Sequence, residues 1–297
     1  MHPVLLSVEI FGRTVTLNAY PVMLVVAGLT AAAVGILTAS FVGLPSKRAA
    51  VAFGAALAGA IVGARLLHLF TNVHLYSAEP ARIWALEATG FSLYGGLLLG
   101  GPAGLLVAHS LGLGLWRFVD AAAAGAAAGV VLNRVGCFLQ GCCYGLPTDL
   151  PWGVEFPPGS PAWVRQIVDG APDGGGGLLL SGLLGGGGAF EPGAVHPTQL
   201  YELGAASVGL LVVAALFRRR VQPGTAFLVV AVWFTAFRLA NARLRWPPTT
   251  LTAPVWFYPA VYGALLTVLG AVLIRRLLRG EGRSKVAVSA GGPASAA

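Results

Sequence analysis

Three cysteines and an arginine share one short stretch, Arg134-Val-Gly-Cys137-Phe-Leu-Gln-Gly-Cys142-Cys143-Tyr-Gly145. Thiols this close together suit a structural disulfide, a redox centre or a metal site. A zinc site wants a fourth ligand, for which only His196 offers itself, and a redox relay wants a second thiol pair, which the chain lacks. Packing, or a disulfide of Cys137 with Cys142 or Cys143, is the expectation; no metal and no cofactor is expected. Arg134 follows Val130-Val131-Leu132-Asn133 and so stands deep in an apolar run. A guanidinium in that setting wants a planar, bidentate anion, either a carboxylate or a phosphate. Glu202 supplies the carboxylate if the two helices touch. A lipid phosphate is the alternative, with Gly136, Gly141 and Gly145 leaving room for a headgroup against the backbone.

The other ionisable residues in apolar runs are Arg65, His68, His109, Asp120 and Arg238. Each costs about 2.5–3.5 kcal/mol at the bilayer centre and must face protein or water. Asp120 and Arg117 have a structural explanation, since a carboxylate suits a helix N-terminus and an arginine can snorkel. His109 reads as an interfacial histidine. Arg65 and His68, at i and i+3, share a face and fit either a structural or a functional role.

These residues are carried by a chain of 297 residues that is 56% apolar and 10% charged, with a mean hydropathy of +0.78. Soluble domains carry about 25% charged residues, so this chain cannot cover a water-facing surface. An all-α integral membrane protein is expected, with seven spans: 17–41, 49–70, 90–111, 118–140, 198–217, 224–240 and 256–274. Most approach the ~20 residues a helix needs to cross the hydrocarbon. With the N-terminus outside, the inner segments hold 11 of the 19 Lys and Arg and the outer loops five, which favours N-out and C-in. The net charge of +8 then reports topology and anionic lipid rather than nucleic acid. Residues 1–17 lack the basic start of a signal peptide and are expected to be retained at the outer interface. Residues 1–279 form the membrane domain. Within it, 143–196, with two four-glycine runs, is expected to be a small irregular extracytoplasmic head between the fourth and fifth spans; 280–297 is expected to be a disordered cytoplasmic tail. The residues alone thus reach a seven-helix membrane protein with an outer-leaflet anion site.

Asn133-Arg134-Val135-Gly136-Cys137-Phe138, ending in Tyr144-Gly145, resembles the signature of the prolipoprotein diacylglyceryl transferase family. Three further stretches are similar to that family in the same order: His2-Pro3-Val4-Leu5 with Tyr20, Gly90-Phe-Ser-Leu-Tyr94-Gly95-Gly96, and His196-Pro-Thr-Gln-Leu-Tyr-Glu202. Arg238 and Arg245 resemble its sixth-span arginine pair, so the likeness runs from about residue 2 to 275. Tyr94 stands where the family motif has histidine, Cys137 where it has asparagine, and Ala242 where it has glutamate.

The resemblance implies transfer of a diacylglyceryl group from phosphatidylglycerol to the lipobox cysteine of a prolipoprotein signal peptide, with release of glycerol phosphate. The setting would be the bacterial inner membrane during lipoprotein maturation. It implies Arg134, Arg238, Tyr94 and His196 as catalytic residues, with the two arginines clamping the phosphate. Tyr20, Gly95, Gly96, Gly136, Cys137, Gly145, Gln199, Glu202 and Arg245 would meet the substrates; Glu202 is a second candidate, beside His196, for proton handling. Phosphatidylglycerol, the prolipoprotein and membrane lipids are the implied partners. A homologue with lost or altered transferase activity and a membrane thiol oxidoreductase stay open as other readings.

Overall fold

The computed structural model describes residues 4–10, 13–78, 80–83, 92–169, 192–246 and 256–290. The chain opens on an antiparallel hairpin, β1 (Val4–Ile10) paired with β2 (Arg13–Asn18) in the register Ser7↔Thr16, Val8↔Val15, Glu9↔Thr14. Alternating apolar and β-branched residues suit a pleated ribbon. Because Leu17 pairs with Leu6, the first helix begins at Ala19 rather than at residue 17.

The helices follow: α1 (Ala19–Phe41), α2 (Ser46–Thr71), α3 (Val73–Ala78), α4 (Leu93–Ser110), α5 (Leu115–Gln140), α6 (Pro161–Asp169), α7 (Thr198–Arg218), α8 (Thr225–Asn241) and α9 (Phe257–Ala290). Five of them are long and apolar enough to cross a membrane: α1, α2, α5, α7 and residues 257–278 of α9. Residues 95–110 of α4 and all of α8 are shorter apolar helices. The chain is a multi-pass membrane protein.

Small residues hold the helices together, as expected where lipid removes the hydrophobic drive between them. A Cβ on Gly100 of α4 would stand 2.8 Å from Ala60 Cβ of α2, and one on Gly129 of α5 would stand 3.0 Å from Ala31 Cβ of α1. The run 121–129 is buried almost throughout, which makes α5 the central helix, packed against α1, α7 and α8. The span of α9 has no buried residue and lies at the edge.

Asp120, 3% exposed, accepts hydrogen bonds from the backbone N–H of Gly224 (2.6 Å) and Phe227 (2.8 Å). The expected carboxylate at a helix N-terminus is therefore present, but the helix it caps is α8 and not its own. Arg65 donates to the carbonyl of Ile83 (3.0 Å) and lies over the Tyr76 ring, which gives it a structural role.

Two expectations need correction. The head is not wholly irregular: Ser160 accepts from Trp163 N–H and Pro161 occupies the first helical position, a pair that starts α6. The four-glycine runs lie outside the described residues. Nor does the last helix stop at residue 279; α9 continues to Ala290, taking in most of the expected tail. Gly280 and Gly282 each weaken a helix by about 1 kcal/mol, but no proline interrupts it before Pro293.

Candidate active site

Three helix ends meet at one end of the bundle: the C-termini of α5 and α8 and the N-terminus of α7. Gly141 adopts the left-handed conformation (φ +71°), and its N–H and that of Cys142 bond to the carbonyls of Phe138 and Cys137. This Schellman turn reverses the chain at the end of α5. Thr198 Oγ1 and Gln199 Nε2, both fully buried on α7, donate to the carbonyls of Cys143 and Cys142 at 2.7 Å each. Further on, Gly145 N–H bonds to His196 O (2.9 Å) and Leu146 N–H to Leu244 O (2.8 Å). A Cβ on Gly145 would sit 2.6 Å from His196 Cβ, so only glycine permits this crossing. The same lattice of backbone bonds carries Arg245, which follows α8, toward the ends of α5 and α7.

Glu202, 1% exposed, is the hub of the site. Its Oε2 lies 2.6 Å from Arg134 Nε, and its Oε1 accepts from Arg238 Nη1, from Arg245 Nη1 (3.0 Å) and from Asn241 Nδ2 (3.1 Å). The sequence-derived choice between a carboxylate and a phosphate for Arg134 therefore resolves into a carboxylate that serves three arginines at once. Three guanidiniums around one carboxylate leave two positive charges unbalanced. Burying such a surplus is costly unless an anion shares the site. The arginines are 12%, 19% and 24% exposed in chain order, so the cluster is reached past Arg245 and Arg238 rather than past Arg134. Gln199 Oε1 and Asn241 Oδ1 are buried acceptors without a partner among the described residues. They are suited to hydroxyl donors from a ligand.

The three cysteines sit beside this cluster. They are free thiols, their sulfur atoms lie within 4.8 Å of one another, and Arg134 Nη1 stands 3.5 Å from Cys137 Sγ. Cys143 takes the left-handed backbone conformation (φ +60°), which costs a non-glycine residue about 1–3 kcal/mol.

A sequence profile of the prolipoprotein diacylglyceryl transferase family matches residues 6–277. The chain belongs to that family. It is similar to phosphatidylglycerol–prolipoprotein diacylglyceryl transferases of Geobacter sulfurreducens (32% identity, over 65% of this chain and 63% of the relative) and Leifsonia xyli subsp. xyli (29%, over 72% and 61%). A relative of the same description in Pseudomonas putida is 28% identical over 67% of this chain and 64% of its own length. The chain thus spans less than two thirds of the length of these curated relatives. The resemblance read from the motifs is borne out at the level of the family.

Of the residues that the family motifs single out, Arg134, Arg238, Arg245, Glu202, Gln199, Cys137 and Gly145 come together. Tyr20, in the first turn of α1, lies against the last turns of α5: its Cα is 3.8 Å from where a Cβ on Gly136 would stand. The bare face of Gly136 is filled by α1, where a Cβ would stand 2.6 Å from Met23 Cβ; that of Gly95 is filled by α2, at 2.6 Å from Leu67 Cβ, and Gly96 faces Ala60. His196 turns its Nδ1 to the Tyr201 hydroxyl (3.2 Å), which in turn accepts from Trp152 Nε1 (2.9 Å). Tyr94 lies in the first turn of α4, and its side chain, like His2-Pro3 and Gly90-Phe91, is outside the described residues. Two contributors escaped the sequence reading. Asn241 follows Arg238 by three residues on an otherwise apolar helix, a spacing that could have revealed it. Tyr262 of α9 accepts from Arg238 Nη2 (2.9 Å), with the guanidinium over its ring, and no local signal marks it.

Proposed function

We propose that this chain is a phosphatidylglycerol–prolipoprotein diacylglyceryl transferase of a bacterial inner membrane. In this reading α1, α2, α4, α5, α7, α8 and α9 are seven spans, the N-terminus is outside, and 143–196 is the extracytoplasmic head. The observation that carries the proposal is the Glu202 hub, which assembles Arg134, Arg238 and Arg245 with a surplus of two positive charges.

The acceptor thiolate attacks a glyceryl carbon, the carbon–oxygen bond to phosphate breaks, and the electron pair leaves on glycerol phosphate. The phosphate thereby goes from one negative charge to two. A fixed surplus of guanidinium charge stabilises that change more than it stabilises the bound diester, which is the differential binding catalysis requires. Glu202 holds the arginines in place; with three donors on Oε1 and the Arg134 guanidinium 2.6 Å from Oε2 it is an anchor rather than a base. Gln199 and Asn241 accept hydrogen bonds from the glycerol headgroup. Tyr20 lines its approach, and Tyr94 is assigned a catalytic role by its place in the family motif alone. His196, steadied by Tyr201, takes the acceptor's proton.

The test is transfer of labelled diacylglyceryl from phosphatidylglycerol to a lipobox peptide by purified protein in detergent. Label on the peptide thiol, glycerol phosphate in solution, and loss of both with Arg134→Ala or with a peptide bearing alanine for cysteine are expected. Folded protein that binds the lipid but transfers nothing would refute the reading and leave a lipid-binding homologue with another acceptor or none.

A further inference from the structure

The reaction derived above leaves Cys142 and Cys143 without a task, yet the fold takes care to bring them to Cys137. The Schellman turn at Gly141 folds them back over the end of α5, and Cys143 is held in a backbone conformation that non-glycine residues avoid. The buried side chains of Thr198 and Gln199 fix both carbonyls, so the turn cannot relax without losing two hydrogen bonds. A disulfide would join two of the sulfurs and strand the third. A thiophilic cation uses all three.

Three thiolates at about 2.3 Å from a zinc ion stand roughly 3.8 Å apart. Sulfur atoms already within 4.8 Å of one another reach that arrangement by shifts of about 1 Å or less. A three-thiolate zinc centre carries one net negative charge, which the neighbouring guanidiniums offset; Arg134 Nη1 is 3.5 Å from Cys137 Sγ. Cys137 is buried while Cys142 and Cys143 are partly exposed, so one side of the centre stays reachable. Three protein ligands and one open position distinguish a working zinc site from a structural one.

We propose that Cys137, Cys142 and Cys143 bind one zinc ion, and that its fourth position takes the sulfur of the acceptor cysteine. The second half rests on the transferase reading. On binding, the acceptor thiol gives its proton to His196. The zinc-held thiolate forms the sulfur–carbon bond as the carbon–oxygen bond to phosphate breaks and the electron pair leaves on glycerol phosphate. The product thioether is neutral, a weaker ligand, and departs. Zinc keeps its oxidation state throughout.

Full-length protein, purified in detergent under reducing conditions, is titrated with zinc against a chromophoric chelator. One equivalent per chain is expected, with affinity lowered at least about tenfold in Cys142→Ser and in Cys143→Ser, both checked for folding by thermal unfolding. Three freely reacting thiols with no stoichiometric zinc binding would overturn the site, as would a persistent disulfide in their place. Cobalt substituted for zinc reads the fourth ligand without turnover. A cysteine-bearing lipobox peptide should shift the cobalt absorption bands, and the serine peptide should not. Bands that ignore both peptides overturn the acceptor role, whereas failure of the transferase reading is seen separately, in the lipid-transfer assay.

Discussion

Arg245→Ala separates binding of the phosphate from stabilisation of its departure. Arg245 reaches Glu202 with a single Nη1 at 3.0 Å and is the most exposed of the three arginines. After its removal Glu202 still holds Arg134 and Arg238, so no buried charge is orphaned and the fold should persist. The surplus falls from two charges to one, enough for the diester but not for the departing dianion. A unit charge about 5 Å from the phosphate, at an effective dielectric constant of about 20, is worth roughly 3 kcal/mol, or about a hundredfold in rate. Losing one donor to a developing oxyanion costs about 10²–10³ in kcat, which agrees. Initial rates of labelled diacylglyceryl transfer, measured across phosphatidylglycerol concentrations in mixed micelles, should show kcat down by about two orders of magnitude, on top of any rise in KM. A raised KM with unchanged kcat would refute the reasoning, because it would mean that Arg245 holds ground state and transition state equally.

Glu202→Gln should be far more damaging to the fold than Arg245→Ala. It leaves three guanidiniums without their counter-charge, at a cost of about 3–5 kcal/mol, seen as a lower Tm in detergent; an unchanged Tm would contradict the hub. Asp120→Ala strips the acceptor from two buried N–H groups of α8, and a loss of about 1–3 kcal/mol in stability with transfer intact at low temperature is expected. His196→Gln should depress transfer at neutral pH and recover as the pH rises past about 8.5, where the acceptor thiol ionises without help. A pH-independent loss would make His196 a purely structural partner of Tyr201.

The apolar runs were legible because a helix in lipid must be apolar along its length, and all seven correspond to helices, with most ends within one residue and all but the last within three. Two of the displacements have local causes. Leu17 was claimed by strand pairing, and α9 ran on past Arg279 because nothing stopped it. The Arg134–Glu202 pair was legible as a possibility, since each is expensive alone in an apolar run. That Arg238 and Arg245 share the same carboxylate was not, because the backbone lattice among Gly145, His196 and Leu244 joins segments far apart in sequence. Glycines were the least informative residues. A missing Cβ makes room equally for a headgroup or for a neighbouring helix, and at Gly95 and Gly136 the neighbour is a helix.

The double tie between α5 and α7 has a consequence for how a lipid gets in. Arg134–Glu202 joins the two helices inside the bundle, while Thr198 and Gln199 grip the carbonyls just beyond the end of α5. Sliding or tilting one helix against the other would break charged and neutral bonds together, so the pair behaves as a fixed wall. α9, by contrast, has a span that buries none of its residues, packs on α8 and meets the arginine cluster through the Tyr262 hydroxyl on Arg238. On the transferase reading, a lipid entering from the bilayer would meet the arginine cluster on the side that α9 borders, beside Tyr262.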